Sequence, residues 1–206
     1  QIIIYRPNGF DARAISEFVY EARDPILMGL AFASVRDIIS FLRYERKDNF
    51  GNFNPLLLDN KPAIKFAYGL GISQSGRFVR DFLYQGFNED ESNRIVFDGL
   101  MPDVAGSRKT WTNYRFAQPG RYSQEHEAHF QPGDQFPFTY GVTTDHLTGK
   151  VDGILNRCIE SNTCPKVFHT DTASEFWQAR SSLIVTDTKG NDITLPDPVT
   201  HVELLF

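Results

Sequence analysis

The stretch Phe66-Ala-Tyr-Gly-Leu-Gly-Ile-Ser-Gln-Ser-Gly76 runs straight into Arg77-Phe-Val-Arg-Asp-Phe-Leu-Tyr84. An apolar strand therefore turns abruptly into a helix, with Ser73 at the corner. A serine held at such a bend takes a strained backbone conformation that lifts its hydroxyl clear of the sheet, and only small residues fit two positions to either side. Gly71 and Ser75 meet that demand, and Gly76 lets the helix start close to the strand. Ser75 is the poorer nucleophile, because its own neighbour two positions on is the bulky Arg77. The amide of Gln74, in the first helical turn, points where a developing oxyanion would sit. A phosphate-binding or merely tight-packing turn is the competing reading, although the Lys of a P-loop is absent from this stretch.

Leu30–Tyr44 is the clearest helix, with Leu30, Ala33, Val35, Ile38, Phe41 and Leu42 at the helical period and Arg36, Asp37 and Arg43 on the other face. Residues 48–55 and 59–62 read as loops leading to an apolar strand over 64–72. Phe78, Val79, Phe82 and Leu83 form one face of the next helix, and 94–101 reads as a second strand bounded by Pro102. Strand, helix and strand in this spacing make a βαβ unit and a parallel sheet. The fold class is therefore α/β, a mainly parallel sheet flanked by helices.

From about 103 to 150 the periodicity vanishes. Trp111, Tyr114, Phe116, Tyr122, Phe136, Phe138 and Tyr140 are interspersed with His126 and His129. A long insertion of this kind acts as a lid or binding loop, with Trp111, His126 and His129 lining a pocket for an apolar or aromatic ligand, or else its rings only pack it onto the body. His126 and His129 could ligate a metal if helical, but no third ligand has matching spacing, so no metal site and no cofactor is expected. Beyond the insertion, a strand is expected over 165–172, a helix over 173–182, a pairing of 183–186 with 193–195 across a turn, and a last strand over 201–206.

The chain has 206 residues, 41% of them hydrophobic, which suits one domain with a real core. Its net charge is −5 and its 21 Lys and Arg are scattered, which argues against a nucleic-acid surface. No apolar run approaches the roughly 20 residues that span a bilayer, and Gln1-Ile-Ile-Ile4 is no signal peptide. The first residue is not Met and the last falls within a strand, so the chain reads as part of a longer protein. Cys158 and Cys164 are close enough to close a small loop as a disulfide; bonded, they point to a periplasmic or secreted protein, and as free thiols to a cytoplasmic one.

Several blocks carry a resemblance to a known family: Tyr20-Glu-Ala-Arg-Asp-Pro25, residues 29–43, Gly71-Ile-Ser-Gln-Ser-Gly-Arg77, Phe97-Asp-Gly-Leu-Met-Pro102, Gly106-Ser-Arg108, residues 164–177 and Ala179-Arg-Ser-Ser-Leu183. Together they span nearly the whole chain. It resembles the central to C-terminal part of the bacterial "alpha/beta hydrolase domain" proteins, within the α/β-hydrolase superfamily. The resemblance implies a serine hydrolase mechanism, with small carboxylic esters as substrates.

A serine hydroxyl becomes a nucleophile only when a histidine takes its proton and a carboxylate orients that histidine. In this superfamily the order along the chain is Ser, acid, His. Glu175, just beyond the strand ending at Thr172, is the first choice for the acid, with Asp171 and Asp103 as rivals; a solvated carboxylate in a first helical turn is the ordinary alternative for Glu175. His169 lies mid-strand and His201 at the start of the last strand, so neither suits the base. That histidine is expected beyond Phe206, which leaves this chain alone with little esterase activity. The alternative is a hydrolase fold that has lost its chemistry and serves as a binding module.

Overall fold

The computed structural model describes residues 3–13, 20–21, 23–27, 29–110 and 135–205. Helix α1 (Leu30–Tyr44) follows Gly29, whose φ of 84° sets the turn into it. Its bounds match the apolar periodicity, but its faces do not. Leu30 and Ile38 are exposed, while Phe32, Ser40 and Arg43 are buried. Arg43, expected on the solvent side, instead reaches inward on its long stem: Nη1 donates to the carbonyl of Val96 at 2.6 Å, and Nη2 lies 2.9 Å from Asp98. A buried guanidinium is tolerated where carbonyls and a carboxylate take its donors. Here they tie α1 to the segment that enters the sheet.

After the small antiparallel hairpin β1 (Leu57–Leu58) and β2 (Lys61–Pro62), the chain enters β3 (Tyr68–Ile72), then α2 (Gln74–Tyr84) and β4 (Gly99–Asp103). A second hairpin, β5 (Thr143–Thr144) with β6 (Val151–Asp152), leads to α3 (Asn156–Glu160) and β7 (Lys166–Thr172). Helices α4 (Ala173–Gln178) and α5 (Ser182–Val185) precede β8 (Val199–Leu205). The main sheet has the order β3-β4-β7-β8, and every neighbouring pair is parallel. The βαβ reading of 64–101 holds, and with it the α/β class.

Three expectations are corrected in detail. The second strand does not cover 94–101 and stop at Pro102; β4 starts at Gly99 and passes through Pro102. Pairing with β7 skips from Leu100 to Asp103, so the missing proline N–H falls where that ladder is interrupted. The apolar character of Val96 and Phe97 reflects burial in a connecting turn, not strand pairing. The expected helix over 173–182 breaks at Arg180, whose φ is 58°, into α4 and α5. Consequently 183–186 is largely helical, and of the expected pairing with 193–195 the structure keeps only a bridge between Thr186 and Asp192 and the bond from Ile193 N–H to the Val185 carbonyl.

The core lies between the helices and one face of the sheet. Phe82 and Leu83 of α2 are fully enclosed with Phe32 of α1, Leu100 of β4 and Val167 of β7. Each such side chain contributes about 1.5–3 kcal/mol by leaving water. Alternation within the strands sends Gly71, Leu100, Val167 and His169 toward this core, whereas Tyr68, Leu70, Ile72, Met101 and Phe168 face the other way and are exposed. Among the described residues, no helix is long and apolar enough to cross a membrane.

Cys158 and Cys164 are bonded to each other, six residues apart, between α3 and β7. A cross-link closing so short a loop is worth about 2 kcal/mol on the chain-entropy account. The double replacement Cys158→Ala with Cys164→Ala is expected to lower unfolding stability by that amount, measured by urea titration under oxidising conditions. A loss that appears equally when the native protein is compared with and without reductant assigns it to the bond; no loss in either comparison removes the stabilising role.

Candidate active site

Ser73 follows the last residue of β3 and precedes the first of α2. Its backbone is left-handed, φ 57° and ψ −115°, which is strained for any residue with a side chain. Ser75 lies within α2 and takes no such conformation. The corner is held at both ends: the Ser73 N–H donates to the Asp103 carbonyl at 2.8 Å, and the Arg77 N–H donates to the Ser73 carbonyl at 3.0 Å. Close packing explains the small residues around it. A Cβ on Gly71 would lie 2.2 Å from the Ser75 carbonyl oxygen, and one on Gly76 would lie 2.9 Å from the Ala105 side chain. The serine side chain is exposed and no described residue hydrogen-bonds to its hydroxyl. Gln74 is the first residue of α2, where a backbone N–H has no acceptor inside the helix and is available to an anion.

The register brings candidate acids to the same, carboxyl edge of the sheet. Ile72 is opposite Asp103, and Asp103 is opposite Thr170. Glu175 is the third residue of α4, and its Oε2 accepts the Thr172 backbone N–H at 3.1 Å and the Thr172 hydroxyl. The two form a capping box, so the ordinary helix-cap role of this carboxylate is present here. That cap also holds it at the mouth of β7. Asp103 accepts a hydrogen bond from the Thr170 hydroxyl through its side chain while its carbonyl holds Ser73.

Asp171 is placed quite differently. It points to the core side of β7, is 1% exposed, and its carboxylate is fully engaged. Oδ1 accepts the Gly106 N–H at 3.0 Å; Oδ2 accepts the Ser181 hydroxyl at 2.8 Å and the His169 Nε2–H at 2.8 Å. His169 Nδ1 in turn lies 2.6 Å from the Tyr140 hydroxyl. Because an ionised carboxylate only accepts, the imidazole is satisfied as the neutral Nε2–H tautomer, with Tyr140 donating to Nδ1. The Arg80 guanidinium stands over the Tyr140 ring, 4.9 Å from its centre, and donates to the Ser107 and Phe138 carbonyls at 3.3 and 2.5 Å.

The electrostatics agree with that arrangement. Burial lowers the pKa of His169, and its bond to Asp171 offsets this only in part. Burial alone would raise Asp171, but the His169, Gly106 and Ser181 bonds outweigh it and leave the carboxyl below its usual range. Burial pushes the Tyr140 phenol up to about 12. With a lowered folded value, His169 binds its proton less readily folded than unfolded, so its contribution is fully present above 6.5 and is lost as pH falls below it. Asp171 has the same sign at lower pH, since its folded value lies under the ordinary 3.8. The urea midpoint is therefore expected to fall between about pH 7 and about pH 5, and His169→Gln is expected to flatten that fall. An equal slope in the variant would show that His169 does not carry it.

Of the residues singled out from sequence, the structure thus brings Ser73, Gln74, Asp103 and Glu175 to one edge of the sheet and turns Asp171 to the core. Trp111, His126 and His129 lie outside the described residues. His201 is exposed, stacked on Phe168 with ring centres 4.5 Å apart and 3.6 Å from Glu203. None of the described histidines hydrogen-bonds to Ser73. The buried set of Tyr140, His169, Asp171 and Ser181 was not foreseen as a unit. A His-x-Asp pair in a strand puts both side chains on one face, which was its one visible signal.

Residues 7–192 match the family model described as alpha/beta hydrolase domain, and the chain belongs to that family. It is a hydrolase-fold protein, with Ser73 at the strand-to-helix corner of a parallel sheet. No curated protein and no solved structure matches it.

Proposed function

We propose that the protein is a serine hydrolase that cleaves carboxylic esters through an acyl-enzyme intermediate. The observation that carries this reading is the backbone of Ser73, held left-handed at the sheet edge with its hydroxyl exposed. A fold retains such strain where the geometry serves a purpose, since about 1–3 kcal/mol would be recovered by relaxing it.

In this reading a base removes the Oγ proton as the oxygen attacks the ester carbonyl, and the Gln74 N–H stabilises the oxyanion, a contribution of roughly 10²–10³ in rate for one such donor. The proton passes from the base to the departing alcohol, leaving Ser73 acylated. Water, deprotonated by the same base, then releases the acid. Glu175 orients the base from the mouth of β7. The base is a histidine delivered from the carboxyl end of β8, the strand beside β7. The aromatic content of residues 103–150 supports an apolar or ring-bearing ester. The disulfide supports an oxidising compartment such as the periplasm or the cell exterior.

The test is labelling of the full-length protein with a fluorophosphonate, followed by peptide mass spectrometry. Attachment at Ser73 supports the reading. A folded protein that stays unlabelled overturns it in favour of a binding module.

A further inference from the structure

Asp171 sits where three segments cross beneath the sheet edge. Its carboxylate holds the Gly106 N–H of the loop after β4 and the Ser181 hydroxyl of the turn after α4. The same two segments are joined by the backbone, with the Ser107 N–H donating to the Ala179 carbonyl at 3.0 Å. Each leads to the site. The loop after β4 carries Ala105, whose side chain limits the space at Gly76 in the first turn of α2, and follows directly on Asp103, the last residue of β4, whose carbonyl fixes the Ser73 N–H. The turn after α4 is bonded back to Glu175, whose carbonyl accepts both the Ala179 N–H at 2.9 Å and the Ser181 N–H at 3.2 Å.

We propose that Asp171 is a positioning residue, whose buried carboxylate ties the loop after β4 to the turn after α4 and so sets the separation of Ser73 and Glu175. This rests on the hydrolase reading of Ser73. Asp171 touches neither substrate nor nucleophile in this role. It acts through Gly106 on one side and Ser181 on the other, and His169 and Tyr140 behind it keep it ionised and correctly rotated. All three hydrogen-bonding groups that meet the carboxylate are donors: a backbone amide, a hydroxyl and an imidazole N–H. An amide in its place would bring a donor against donors. Asp171→Asn is accordingly expected to force His169 to the Nδ1–H tautomer, with the Tyr140 hydroxyl turned to accept.

The experiment uses the full-length protein and p-nitrophenyl acetate. Asp171→Asn is expected to lower kcat by about 10²-fold with KM within about twofold, because a misplacement of about 1 Å costs that much in rate while leaving binding intact. Ser181→Ala keeps the carboxylate and loses one tether; it is expected to lower kcat by a smaller factor in the same pattern. Imidazole ¹⁵N shifts are expected to show His169 as Nε2–H in the native protein and Nδ1–H in Asp171→Asn. Unchanged kcat in Ser181→Ala overturns the proposal, even if Asp171→Asn does not fold, and so does an Nδ1–H tautomer in the native protein. If Ser73→Ala keeps full activity, the hydrolase reading itself falls and takes this proposal with it, a result distinct from the other two.

Discussion

Ser73→Ala in the full-length protein is expected to remove ester hydrolysis by roughly 10⁴–10⁶-fold and to abolish fluorophosphonate labelling, while leaving the fold intact. The size follows from the role: without Oγ there is no acyl-enzyme, and only the oxyanion site and substrate binding still act. Stability supplies an independent reading of the same residue. Alanine keeps a Cβ in the left-handed corner, so the strain at φ 57° remains. Glycine does not, and Ser73→Gly is expected to unfold at higher denaturant than Ser73→Ala, by about 1 kcal/mol after the greater freedom of glycine in the unfolded chain is deducted. Both variants are inactive in this account. If the glycine variant is no more stable than the alanine variant, the corner is not strained and the argument for Ser73 loses its footing. Residual hydrolysis above about 1% in Ser73→Ala points to another nucleophile.

Gly71→Ala is expected to cost about 3–5 kcal/mol of stability, among the largest effects of any single methyl in this chain. The added carbon would sit 2.2 Å from the Ser75 carbonyl oxygen and 2.8 Å from the Gly76 nitrogen, both backbone atoms that cannot swing aside. To make room, the start of α2 must move off the sheet, and the helix is held there by Val79, Phe82 and Leu83 in the core. Gly51→Ala is the control. Gly51 has a positive φ, 88°, which Gly71 in β3 does not, and nothing lies within 4 Å of its added carbon, so only the local conformational penalty of about 1 kcal/mol applies. Urea titration of the two variants separates collision from backbone preference. Equal losses would mean that the close approach at Gly71 relaxes freely, and the strand-to-helix corner would then be far less constrained than the distances imply.

The bounds of α1, the strand Lys166–Thr172 and the βαβ unit around Ser73 were legible along the chain, because each depends on periodicities of a few residues. The sidedness of α1 was not. Arg43 counts as polar in any pattern, yet carbonyls about fifty residues away and Asp98 give it a buried place. Pro102 was read as a strand end, and only the interrupted pairing of β4 with β7 shows why the strand continues past it. The same limit applies to the acids. Asp171 and Glu175 lie four residues apart, and the preference for Glu175 in sequence rested on its place just beyond the strand and on the family resemblance; it is the alternation of β7 that turns Asp171 inward while the cap of α4 keeps Glu175 at the edge.

What the sequence determined by itself is the corner at Ser73. The constraint at Gly71 is a collision with the backbone of Ser75, four residues on, so the glycine that relieves it is visible without any fold, whereas the constraint at Gly76 comes from Asp103 and Ala105. The part each carboxylate plays was decided only by tertiary structure. Whether Asp171 is free or fully engaged depends on Gly106, sixty-five residues before it, arriving with its N–H pointed inward. A bond of that kind is set by how the chain crosses itself, and no local pattern encodes the crossing.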